Sequence, residues 1–201
     1  MQRKFKPIVP MIATALLAAI AVVLYFLGFP LFPGTPAAHL KLDFTDIPAL
    51  VAALFFGPVY GIAVNLIQNL IGLMSGSFAM HLGFGNIMNF TVGAAFVVPY
   101  AVIVRRARNK HGRARRKDLV LASAVSIFCI VVIGLGMNII FTPLFFRCAL
   151  DIPMTVSQVW PILGFSTALN AIKGVILSTA GAALIYMPLR GVLEKYLQEK
   201  R

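Results

Sequence analysis

Acidic residues are scarce in this chain: 6 Asp and Glu stand against 18 Lys and Arg, and charges of both signs make up only 12% of 201 residues. Soluble domains carry about a quarter charged residues, so a conventional water-facing surface is excluded. Cysteine is equally thin, with only Cys129 and Cys148. Both lie along one apolar stretch, where helical geometry would set them about 28 Å apart, beyond the reach of a disulfide. No Cys or His cluster has metal-ligand spacing. The G-x-x-x-x-G-K-[ST] phosphate loop is missing, as are G-x-S-x-G and H-E-x-x-H, and His39, His81 and His111 are scattered. An enzyme is therefore not expected.

What the chain has is apolar length. Apolar residues reach 60%, and the mean hydropathy is +0.90. They fall in stretches at about 8–29, 46–75, 85–104, 119–146 and 159–188, long enough for helices of the roughly 20 residues that a bilayer crossing needs. The first resembles a signal peptide, but further blocks follow it, so it reads as a retained first helix. The fold class is all-α: an integral membrane bundle in the lipid bilayer of the cell membrane, as one domain over 1–201.

The net charge of +12 could suggest nucleic acid, but its placement suggests membrane topology. Basic residues gather at Arg3, Lys4 and Lys6, at Arg105 to Lys117, and at Arg190 to Arg201. Each cluster abuts an apolar block, as cytoplasmic anchors do. The 46–75 stretch holds Gly57-Pro58 at its middle, where proline breaks or kinks a helix. A single crossing there would put the eight basic residues of 105–117 outside, against the positive-inside rule. Two crossings restore agreement, at a geometric cost, because about 14 residues per pass span only about 21 Å of a roughly 30 Å core. The expectation is six helices, one of them short, with both termini cytoplasmic. Three connections then face outward, at about 30–45, 76–84 and 147–158. The first is rich in proline, and His39-Leu40-Lys41-Leu42-Asp43-Phe44 alternates like a strand. Thr45 or Asp46 can cap the next helix, with Pro48 in its first turn.

Polar residues within membrane helices are costly and mark function. Lys173 is the sole charge between Asp151 and Arg190, with Asn170 three residues earlier on the same helical face. Asn138 lies on the preceding long stretch. These three are expected in the outer half, facing a ligand. With no counter-ion in view for Lys173, replacing it by methionine is expected to weaken binding and even to stabilise the empty protein. Asn65, Gln68 and Asn69, with Asn86 and Asn89, read as interhelical glue. Asp43 and Asp46 read as turn and cap residues. Thr14, Ala15, Ala18, Ala19 and Ala21 form a small-residue stripe suited to close helix approach, within the bundle or against a partner.

The run Leu40-Lys41-Leu42-Asp43-Phe44-Thr45-Asp46-Ile47-Pro48-Ala49-Leu50 resembles the L-x-L-D-[FL]-[ST]-D-[IL]-P-[AS]-L stretch of riboflavin-specific S components of energy-coupling-factor (ECF) transporters. As in that family, an apolar helix follows and ends in Gly57-Pro58. Asn170 with Lys173, and Asn138 before them, are similar to the family's flavin-binding residues, and the small stripe is similar to its alanine docking motif. The resemblance implies a non-enzymatic subunit that captures riboflavin, or a related flavin such as FMN, as cargo and not as a cofactor. It implies a ligand site at Leu40, Lys41, Met80, Asn138, Asn170 and Lys173, with apolar groups such as Leu40, Met80 and Phe84 against the ring. It further implies docking through Ala15, Ala18 and Ala19 to a transmembrane coupling subunit, which works with two ATP-binding cassette ATPases. The rival readings are an S component for another vitamin and an autonomous ion-coupled carrier using Lys173.

Overall fold

In the computed structural model of the chain, the structure describes residues 8–35, 37–38, 40–77, 83–151 and 155–186. Six helices account for nearly all of it: α1 (Ile8–Phe26), α2 (Asp46–Phe55), α3 (Pro58–Gly72), α4 (Phe84–His111), α5 (Arg116–Leu150) and α6 (Val156–Tyr186). The expected strand is real but short. β1 (Phe29–Pro30) pairs antiparallel with β2 (Lys41–Leu42), Phe29 opposite Leu42 and Pro30 opposite Lys41. Five helices are long and apolar enough to cross a membrane; α2 is not.

The break between α2 and α3 falls where the sequence places it. Gly57 takes φ +136°, a conformation that L side chains rarely adopt, and Pro58 opens α3, where its missing N–H costs nothing. The 10 residues of α2 rise only about 15 Å, half the hydrocarbon core. Its two ends are fixed by contacts distant in sequence. The first residue, Asp46, meets Lys173 in the middle of α6, whereas Leu54 near its end offers its carbonyl to Arg105 and Arg108 at the basic end of α4. Helix α2 therefore runs from the level of Lys173 to the basic end of α4, entered from the β1–β2 hairpin through residues 43–45. The guanidinium groups take up carbonyl capacity that a helix C-terminus leaves unpaired, and they complement its negative dipole end.

α2 touches α1, α3, α4 and α6. Such crowding needs small side chains, and Ala49, Ala52 and Ala53 are fully buried. Across from them Gly61 of α3 has no room for a side chain, since an added Cβ would lie 2.6 Å from Ala53 and 2.7 Å from the Ala49 carbonyl. The remaining core is larger: Leu50, Leu54, Val64, Val97 and Ile130 surround the stacked rings of Phe96 and Tyr100, 5.5 Å apart. α3 widens to a π turn at Leu73–Ser77. Apolar residues such as Met11, Leu16, Val120, Phe128 and Val175 remain exposed, as lipid-facing side chains do.

The third connection is shorter than expected. α5 continues to Leu150 and α6 starts at Val156, leaving only 151–155. Arg190 to Arg201, the first basic cluster and most of the 76–84 connection lie outside the described residues.

Candidate functional site

The site is built around a buried lysine. Lys173 projects from the middle of α6 and is only 5% exposed. Its ammonium stands 2.7 Å from Asp46 Oδ2 and donates to Asp43 Oδ1 at 3.3 Å and Asn89 Oδ1 at 3.2 Å. Three oxygens from the hairpin exit, the start of α2 and α4 thus converge on one cation. An unpaired charge at this depth would cost several kcal/mol, so the carboxylates are what permit it.

This arrangement corrects the reading of Asp43 and Asp46. Asp43 does form a turn, with Oδ1 accepting from the Thr45 amide at 3.1 Å and the Thr45 hydroxyl at 2.6 Å. Thr45 is the N-cap residue but makes no side-chain cap bond, and Asp46 is buried at 0% exposure as a counter-ion. It fits only because α4 carries glycine opposite, where a Cβ at Gly93 would lie 2.2 Å from Asp46 Oδ1. A charge inventory could have found the pair. Of the six acidic residues, Asp118 and Asp151 stand at the two ends of α5 and Glu194 and Glu199 in the terminal basic segment. Only Asp43 and Asp46 remain for a membrane lysine.

The asparagines divide. Asn138 is spent internally: its Nδ2 donates to the Gly134 carbonyl at 2.8 Å and Ser166 Oγ at 2.7 Å, and its Oδ1 accepts from Thr142 at 3.2 Å. Asn170 packs beside it, over Gly134, where an added Cβ would come within 2.1 Å of its Nδ2. Asn170 is 6% exposed and has no hydrogen bond among the described residues. The structure thus brings Asn138 and Asn170 together at the α5–α6 seam, with Lys173 one turn further along α6.

The second amide group acts as glue, as expected. Asn65 donates to the Phe90 carbonyl at 3.2 Å, and Asn69 donates to Asn65 Oδ1 at 2.7 Å and Gln68 Oε1 at 3.0 Å. Asn86 reaches the Asn69 carbonyl and the Tyr25 hydroxyl, tying α4 to α3 and α1. Asn89 does more than glue, because it donates to Asn69 Oδ1 at 3.3 Å while accepting from Lys173. It joins the amide cluster to the ion cluster.

Leu40 is half-buried where the hairpin loop meets β2, Lys41 is exposed, and Met80 lies outside the described residues. Aromatic pairs pin nearby segments, Phe32 on Phe165 at 4.9 Å and Phe84 on Phe141 at 5.7 Å. The small stripe splits. Thr14, Ala18 and Ala21 are buried, α1 packing on α2 and α3. Ala15 and Ala19 lie on the open face with Met11, Ile12 and Leu16. Ala18 is therefore taken up by internal packing and is withdrawn from the expected docking face.

Among the described residues no group of His, Cys, Asp or Glu could hold a metal. The described residues thus form a helical bundle, with helices long and apolar enough to cross a membrane, around a buried, hydrogen-bonded polar centre. The family model for the substrate-specific component of ECF transporters matches residues 10–189, and the chain belongs to that family. It is thus a multi-pass protein of the bacterial membrane, and a transport component, not an enzyme. The riboflavin transporter FmnP of Bacillus subtilis (strain 168) is 32% identical over 188 residues, covering 92% of this chain and 94% of that protein. The riboflavin transporter RibU of Staphylococcus aureus (strain TCH60) is 31% identical over 185 residues, 92% of each chain. A solved S component of a bacterial ECF transporter superposes with a TM-score of 0.67 at 28% identity, covering 94% of this chain and 99% of that one.

Proposed function

We propose that the protein captures riboflavin, or a closely related flavin, at the outer face of the membrane and hands it to an energy-coupling module for ATP-driven uptake. The observation that carries this reading is the full-length similarity to two riboflavin transporters. The chemistry of the site agrees. A flavin is an uncharged plane whose pyrimidine edge alternates carbonyl oxygens and nitrogens. The carboxamide of Asn170, without a hydrogen-bond partner among the described residues, supplies a donor and an acceptor for such an edge, and Lys173 lies one turn further along the same face. Leu40, Lys41, Met80 and Asn138 complete the proposed ligand set, with Leu40 and Met80 against the ring and Asn138 holding the seam in shape.

The basic end that includes Arg105, Arg108 and Arg113 is the cytoplasmic end in this reading, and the β1–β2 hairpin is external. The partners are a transmembrane coupling subunit and two ATP-binding cassette ATPases. The coupling subunit docks on the open face of α1 at Ala15 and Ala19, where small side chains allow close helix approach. Proteoliposomes test this: the protein alone should bind flavin without sustained uptake, and uptake should require the coupling module and ATP. Concentrative uptake by the protein alone, driven by an ion gradient, would replace this reading with an autonomous carrier.

A further inference from the structure

Asp43 was not among the residues the sequence assigns to the ligand site, yet its geometry differs from that of a plain counter-ion. Its Oδ1 holds the turn at Thr45 and accepts from Lys173. Its Oδ2 accepts nothing among the described residues, and the side chain keeps 10% of its surface open. Asp46 contrasts with it: both oxygens are sealed from solvent, so Asp46 can balance Lys173 but cannot be reached. The cluster holds two carboxylates against one ammonium, so it retains more acceptor capacity than donor capacity. Asn170 gives a second, independent sign of a ligand. It is nine-tenths buried, without a hydrogen-bond partner among the described residues, and on the same face of α6 as Lys173.

A carbonyl acceptor alone would use only the donors of this site and leave the free carboxylate oxygen facing it. The complementary group is an N–H beside a carbonyl, an imide edge, which offers a donor to Asp43 and an acceptor to the Asn170 carboxamide at once. We propose that Asp43 is a ligand-binding residue whose Oδ2 accepts the imide N–H of the bound heterocycle. Asp46 is then a positioning residue that keeps Lys173 charged and in place beside it. This rests on the flavin reading above, since the N3–H of the isoalloxazine ring supplies such an edge. A site built this way rejects analogues that lack the donor, because the buried carboxylate oxygen is left unpaired.

The test compares riboflavin with N3-methylriboflavin on purified full-length protein, by quenching of flavin fluorescence. A hydrogen bond to a charged acceptor corresponds to about ten- to a hundredfold in affinity, and the wild type should prefer riboflavin by that factor. Asp43→Asn keeps a carboxamide oxygen for the Thr45 turn but puts an amino group where Oδ2 stands, so the preference should collapse to about twofold or less. Asp43→Ala should lose the preference as well, and thermal unfolding of the two variants shows that the loss is not misfolding. A full preference retained in either folded variant would overturn the role of Asp43 while leaving flavin capture intact. No preference in the wild type would overturn it too. If the wild type bound neither flavin, the flavin reading itself would fall, and this inference with it.

Discussion

Replacing Lys173 by methionine probes the ion cluster directly. From the sequence alone the lysine looks solitary, and its removal should relieve a buried charge. The structure reverses the sign. Lys173 stands 2.7 Å from Asp46 and 3.3 Å from Asp43, with Asp46 fully buried. Methionine keeps the volume but leaves two carboxylates facing each other without a cation. Breaking a buried pair by removing one partner costs about 3–5 kcal/mol. For a chain of this size each kcal/mol moves the unfolding midpoint by about 2–4 °C, so Lys173→Met should melt roughly 6–20 °C below the wild type. Asp46→Asn in the same background removes one of the stranded charges and should recover at least half of the loss, although Asp46→Asn alone should destabilise. Thermal unfolding of the four proteins in one detergent, without ligand, gives the complete double-mutant cycle. Additive losses, or a Lys173→Met protein as stable as the wild type, would refute the ion cluster.

Three further outcomes follow from other parts of the bundle. In a background without Cys129 and Cys148, a cysteine replacing Thr35 should react with an impermeant thiol reagent on intact cells and one replacing Arg113 should not; the reverse pattern would invert the topology. Ala15→Arg and Ala19→Arg, on the open face of α1, should leave flavin affinity within about twofold and abolish ATP-driven uptake, whereas Ala18→Arg, at 2% exposure, should impair folding; flavin-binding loss in the first two would return the whole stripe to internal packing. Gly134→Ala should push Asn170 aside, because the new methyl would lie 2.1 Å from its Nδ2, and should lower flavin affinity about tenfold; unchanged affinity in a folded Gly134→Ala protein would remove Asn170 from the site.

The membrane fold was readable because bilayer crossing leaves long apolar stretches and basic flanks, and the charge rule exposed the break at Gly57-Pro58. Helix α2 ends where proline says it must. That it runs only from the middle of α6 to the basic end of α4 was not readable, because its position is fixed by two contacts distant in sequence: Asp46 with Lys173 at one end, and Leu54 with Arg105 and Arg108 at the other. Periodicity is equally blind to which side of α1 faces inward. In lipid both faces of a helix are apolar, so the usual amphipathic signal is missing. Residues 14, 18 and 21 went inward and 15 and 19 outward, although all five are small and look alike as a pattern. The lysine was visible as an anomaly, but its partners were not, since Asp43 precedes it by 130 positions and its local context is satisfied by a turn.

Flavin capture is proposed for this chain itself, without its partners. It is tested most directly by titrating the purified protein, stripped of bound small molecules, with riboflavin and following the quenching of flavin fluorescence. Saturation is expected at one flavin per chain, unaltered in Lys117→Met at the basic loop, weakened about ten- to a hundredfold in Asn170→Leu. No saturable quenching by the wild type, or equal affinity in Asn170→Leu and Lys117→Met, would contradict it.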